Sequence, residues 1–193
     1  MRLATTDEAN ALLVRDPLAL LMGMLLDQQV PMEKAFSSPQ VLAERMGVAR
    51  LDAAVIAGYD PVGFEELFRR KPALHRFPAA MAARVQELCR AVVRNHGGET
   101  ERIWTDAGSG SELVERVMAL PGFGELKARI FAALLAKQFG VRPPGWQLAT
   151  GDFGEPGTFR SAADVVDAES LQRVRAHIRQ QKSAAVRPGR RIS

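Results

Sequence analysis

Apolar residues recur along this chain at intervals of three and four, not two. Leu18, Leu21, Met22 and Leu25 follow Asp16-Pro17, a capping carboxylate and a proline suited to the first helical position. Leu20 and Leu26 are apolar as well, which predicts a helix buried on most sides. Between Pro78 and His96, Met81, Val85, Leu88 and Val92 describe one face of an amphipathic helix, with Arg84, Glu87 and Arg90 elsewhere on its surface and Cys89 as a small packing residue. A further helix is predicted over about Glu112 to Ala119, capped by Ser111, with Leu113, Val117 and Leu120 on one face. Leu126–Phe139 and Ala168–Lys182 read as two more. Helix starts are also predicted at Ser38-Pro39 and Asp60-Pro61, and stops at Gly47 and Gly97-Gly98. No alternating stretch flanked by hairpin turns is present, and no internal repeat. The predicted fold is all-α, built from short helices.

Two places break the helical text. Pro121-Gly122-Phe123-Gly124 joins two apolar-faced helices by a turn too tight for a side chain at every position. The helix after it begins with unpaired amides and the positive end of its dipole, a backbone site for an anion such as a phosphate. Lys127 and Arg129 add positive charge on its first turns. A purely structural turn is the alternative, since many helical hairpins use Pro and Gly only to reverse direction. The second place is Gln28-Gln29. Gln29 lies four, seven and eleven residues beyond Leu25, Met22 and Leu18, a position that the pattern would fill with an apolar side chain. An unpartnered buried amide costs about 1–3 kcal/mol, so the glutamines either cap the helix internally or face a cleft. From Gly140 to Arg160, five glycines and three prolines mark a long connection.

Composition narrows the chemistry. The 193 residues are 47% hydrophobic and 25% charged, as in ordinary folded proteins. A single cysteine, Cys89, excludes an intramolecular disulfide and any zinc or iron–sulfur site built from several thiolates. His75, His96 and His177 lack metal-ligand spacing, so no metal is expected. The longest apolar stretch, Pro17 to Leu26, is about half of a membrane span, and no secretory signal opens the chain; a cytoplasmic monomer is expected. The net charge of +4 permits a polyanion partner. Arg173, Arg175, Arg179, Lys182, Arg187, Arg190 and Arg191 gather at the C-terminus without an acidic residue after Leu171, which suits either phosphate attraction or a solvated tail.

The segment "LPGFGELKARIFAALLAKQFG" resembles the helix-hairpin-helix element, pattern L-P-G-x-G, of the base-excision DNA glycosylase superfamily that includes endonuclease III and 3-methyladenine DNA glycosylase II. "LLMGMLLDQQVPMEKAF" is similar to the apolar helix ending in Gln-Gln of the alkylation-repair branch. The resemblance implies a compact helical domain over residues 1–182 with a cleft between two lobes, and a basic, flexible tail over 183–193. It implies a double-stranded DNA partner containing a damaged base, contacted by Gly122, Phe123, Gly124, Lys127 and Arg129. Gln28, Gln29 and Met32 are expected to probe the duplex beside the extruded nucleotide, with Trp146, Phe153 and Phe159 able either to stack on its base or to pack the loop. No iron–sulfur cluster is expected; a monovalent cation at the hairpin is compatible.

For catalysis the family places an aspartate about twenty residues past the last hairpin glycine. That position is Pro144. Asp152 takes the role if the loop holds an insertion of about eight residues, Asp164 is the fallback, and Asp27 a third possibility; any of them can instead be a cap. The lysine of strand-cleaving members falls on Leu126. Lys127 is one step away, rotated by about 100°, so it reads as a phosphate contact and the enzyme as a monofunctional glycosylase without lyase activity. The alternative is a non-catalytic module that recognises damaged or bent duplex.

Overall fold

A computed structural model describes residues 1–185. Eleven α-helices are present among these residues, and no strand: α1 (Asp7–Arg15), α2 (Pro17–Leu26), α3 (Met32–Met46), α4 (Ala53–Ala57), α5 (Pro61–Arg69), α6 (Pro78–His96), α7 (Arg102–Thr105), α8 (Gly110–Met118), α9 (Glu125–Gln138), α10 (Trp146–Thr150) and α11 (Ala168–Ala185). Two 3₁₀ turns, Gly151–Gly154 and Ala162–Asp164, lie between α10 and α11. Most of the expected tail, residues 186–193, lies outside the described residues.

The helices pack in two sets. In the first, α1, α2 and α3 lie against one another, α3 touches α5, and α4 and α5 flank α6. In the second, α8 and α10 pack on α9, which also receives both 3₁₀ turns. A single buried apolar cluster runs through both, with α2 in its middle: every residue from Leu18 to Leu26 is buried.

Asp16 shows how the sequence sets this up. One of its carboxylate oxygens accepts from the Leu18 and Ala19 amides, at 3.0 and 3.2 Å, and the other from the Leu51 amide at 2.8 Å. The side chain thus caps α2 and ties it to the segment before α4. Asp16→Ala is expected to cost roughly 2–4 kcal/mol in a urea melt, because it removes a cap and strands the amide of Leu51 in a buried setting.

Three expectations are corrected. Ser38-Pro39 does not start a helix; Pro39 sits inside α3, which begins at Met32. The Ser38 hydroxyl lies 2.8 Å from the Lys34 carbonyl and 2.7 Å from that of Leu74, so it serves helix interior and neighbouring loop. The cap of α8 is Ser109, which accepts from the Glu112 amide, and not Ser111. Residues 140–160 are not one open loop, since α10 and the first 3₁₀ turn fold within them. Among the described residues no single helix is long and apolar enough to cross a membrane.

Candidate nucleic-acid interface and active site

The hairpin closes through a bond from the Phe123 amide to the Leu120 carbonyl, 3.1 Å. The Phe123 ring is buried, edge-on to Phe131. Gly122 has φ +84°, and a Cβ there would lie 2.4 Å from Leu25 Cδ1, so both conformation and contact demand glycine. Gly124 differs. Its φ is −93°, and a Cβ would meet no heavy atom within 4 Å. Gly124 is the N-cap of α9, with no side chain capping the helix, and Gly124, Glu125 and Leu126 are exposed. The first amides of α9 therefore face solvent with the dipole's positive end.

The same hairpin is braced to the end of α2. Lys127 Nζ donates to the carbonyls of Leu25 and Asp27, at 3.1 and 3.4 Å. Its burial holds the ammonium pKa below the ordinary lysine value, with Asp27 opposing that shift. The tip of Lys127 is thus engaged by the end of α2 and not directed outward into solvent. Arg129 is exposed and pairs with Glu125 at 2.6 Å, an ion pair that a phosphate can displace.

Past α2 the chain turns outward. Gln28 is committed internally: Nε2 donates to the Leu25 carbonyl at 2.8 Å, and Oε1 accepts from Arg84 at 3.0 Å. Its carbonyl accepts from His75 Nε2 at 2.9 Å, a direction fixed because His75 Nδ1 accepts from the Phe77 amide. Gln29 is exposed at φ +56°, among the described residues the one non-glycine with positive φ. A left-handed backbone is uncommon for a residue with a side chain and costs conformational energy. Gln29, Met32 and their neighbours line a cavity of about 520 Å³, closed on its other side by Arg175, Ile178 and Arg179 of α11. Arg175 pairs with the largely buried Glu33.

Burial lowers the His75 pKa, partly opposed by its bonds to the backbone at Gln28 and Leu26. The folded protein thus binds a proton at this ring less readily than the unfolded chain does. The stability it contributes is full above about pH 6.5 and is lost as pH falls below that value toward the folded pKa. His96 shifts the same way through burial. The His75 share is the difference between the parent chain and His75→Gln, whose melting temperature should fall less between about pH 6.5 and 5.

The carboxylates separate clearly. Pro144, where the resemblance leads one to expect the catalytic aspartate, is exposed and accepts from the Gly110 amide through its carbonyl. The Asp164 side chain is 3% exposed, one oxygen paired with Lys137 at 2.6 Å and the other accepting from the Arg160 and Ser161 amides. This carboxylate caps the second 3₁₀ turn and is engaged at both oxygens. Asp152 is 79% exposed on the first 3₁₀ turn, paired with Arg160 at 2.9 Å. That turn packs on α9, and a Cβ at Gly151 would lie 4.0 Å from Arg129 Nη1, so Asp152 follows a residue set beside the second turn of the hairpin helix. Asp27 is the C-cap of α2.

Trp146 lies apart from the Gln29 loop. It lines a second cavity of about 440 Å³ together with Phe159, Lys137 and Asp164, and that cavity shares no lining residue with the one at Gln29. The Arg142 guanidinium lies 5.9 Å from its ring centre. Phe153 and Phe159 are partly buried against the core. Among the described residues no group of three or more His, Cys, Asp or Glu is arranged to hold a metal ion.

A family model described as HhH-GPD superfamily base excision DNA repair protein matches residues 22–188. The chain belongs to that family. No curated protein and no solved structure matches it. The match covers the second half of α2, the Gln28–Gln29 loop, the hairpin and α11, and the all-helical fold agrees with it. Membership in the HhH-GPD superfamily implies a base-excision DNA glycosylase and DNA as the partner. Sequence reasoning missed Arg84 and His75 as supports of the Gln28 loop; the only sequence signal for Arg84 was its place on the polar side of α6.

Proposed function

We propose that this HhH-GPD protein is a monofunctional glycosylase that hydrolyses the N-glycosidic bond of a damaged, flipped base, an alkylated purine being the favoured lesion, in double-stranded DNA. The observation that carries the reading is a juxtaposition. Gly122 touches Leu25, and Lys127 holds the Leu25 and Asp27 carbonyls, so the open amides of α9 are fixed beside the strained Gln29 loop. One strand's phosphate binds at the hairpin and positions the duplex without reading sequence. Gln29 and Met32 then enter the space that the extruded base leaves.

Asp152 is the proposed catalytic carboxylate. As the bond from the sugar to the base breaks, the base leaves with the electron pair and the sugar gains oxocarbenium character, which a nearby carboxylate stabilises; water then adds at the same carbon and gives up one proton to that carboxylate, leaving a hydroxyl on the sugar. Arg160 holds Glu155 as well as Asp152, both at 2.9 Å, so Asp152 can turn to a sugar without leaving Arg160 unpaired. Lys127 is not a nucleophile in this scheme, because its amine is engaged by carbonyls. The hairpin carbonyls of Gly122 and Phe123 accept no hydrogen bond within the described residues, so oxygen donors suited to a monovalent cation are present. Such an ion would add positive charge near the bound phosphate.

The test is incubation of the purified chain with duplexes carrying single defined lesions, followed by alkaline cleavage of abasic sites. Cleavage of an alkylated-purine duplex only after alkali supports the reading; strand cleavage without alkali would overturn its monofunctional part. A second reading, a non-catalytic module for damaged duplex, is favoured by Pro144 and by the ion pair that holds Asp152. Tight binding with no excision of any lesion would select it.

A further inference from the structure

The basic helix α11 does not simply trail from the fold. Arg175, Ile178 and Arg179 occupy positions i, i+3 and i+4, one face, and all three line the cavity whose other wall is the Gln29 loop. The pairing of Arg175 with Glu33, a residue of α3 only 9% exposed, fixes that face against the loop. The Arg179 side chain is exposed and makes no ion pair or side-chain hydrogen bond within the described residues. Its charge is therefore presented beside the Gln29 loop; of the two carboxylates that line the same cavity, Glu33 is taken by Arg175, and Asp27 ends α2. Arg173, two residues back from Arg175 and on the opposite side of the helix, is engaged elsewhere: it pairs with Glu169, and its guanidinium lies 4.7 Å from the centre of the Phe159 ring.

We propose that α11 is a second phosphate-binding wall of the cleft, with Arg179 contacting the backbone of the strand beside the Gln29 loop and Arg175 positioning the helix through Glu33. The inference rests on the glycosylase reading above and extends it: the hairpin amides hold one phosphate, and a helix from the far end of the chain holds another. The division of labour is physical. Backbone amides give a directional but neutral site, whereas a guanidinium gives a full charge and forked donors for phosphate oxygens.

Counterion release makes this measurable. Each phosphate neutralised by a cationic side chain steepens the fall of log affinity with log salt by about 0.9 for duplex DNA. The experiment is fluorescence anisotropy of the full chain with an end-labelled duplex containing a tetrahydrofuran abasic analogue, across about 50 to 200 mM KCl. Arg179→Ala should reduce the slope by about 0.9, Arg179→Lys should restore it, and Arg173→Ala should leave it unchanged. Thermal melts of each variant show whether the fold is intact. A slope for Arg179→Ala equal to that of the parent chain overturns the proposal while leaving the glycosylase reading in place. A parent chain without salt-dependent duplex affinity overturns that reading, and this wall with it.

Discussion

Asp152→Asn should bind a lesion-bearing duplex as the parent chain does and lose at least about 100-fold in single-turnover excision, the scale on which one electrostatic stabiliser of a transition state is felt. The substitution keeps size and shape, and the side chain is exposed, so folding should not change. Asp164→Asn is expected to behave in the opposite way. It breaks a buried pair with Lys137 and weakens the capping box of the second 3₁₀ turn, which should destabilise the protein by about 3–5 kcal/mol in a urea melt. Excision by the fraction that remains folded should be retained. If Asp164→Asn abolished excision in folded protein while Asp152→Asn did not, the carboxylate assignment would be reversed.

The two hairpin glycines should also separate. In Gly122→Ala, a Cβ at φ +84° and 2.4 Å from Leu25 Cδ1 combines backbone strain with overpacking, for a loss of roughly 2–5 kcal/mol in stability. In Gly124→Ala nothing lies within 4 Å and φ is ordinary, so stability should change by less than about 0.5 kcal/mol. The new methyl group instead occupies the space through which a phosphate reaches the amides of α9. Losing one charge-assisted contact of about 1.5–3 kcal/mol corresponds to a loss of about 10- to 150-fold in duplex affinity. A Gly124→Ala protein with parental affinity would mean that the strand does not approach there.

Much of this was legible in the chain because helices write their faces and ends locally. Asp16-Pro17, Asp60-Pro61, Gly47 and Gly97 act where the sequence predicts, since a cap or a left-handed glycine needs only its immediate neighbours. Ser38-Pro39 misled for the complementary reason: the same dipeptide that opens one helix is tolerated inside another when tertiary contacts hold it, here through Leu74. The hairpin was readable as a motif, but the distinct roles of its glycines were not, because the Leu25 contact joins residues far apart in sequence. The bracing role of Lys127 was hidden for that reason too; its partners are at the end of α2, about a hundred residues upstream. Trp146 and Asp164 looked like site residues by type and region, yet α10 and the capping box draw them to a separate cavity. The neighbourhood of α11 and the Gln29 loop had no local signal beyond a run of basic residues, since it is made by the fold closing on itself.

The most direct test of the central claim is a ¹⁵N amide titration of the protein with short abasic-analogue duplex. The amides of Gly124, Glu125, Leu126 and Lys127 should show the largest shifts, saturating together with those of Gln29 and Met32, because the strand held at the start of α9 also meets the loop. If those hairpin amides stay unmoved while the duplex binds and shifts signals elsewhere, the backbone phosphate site does not exist.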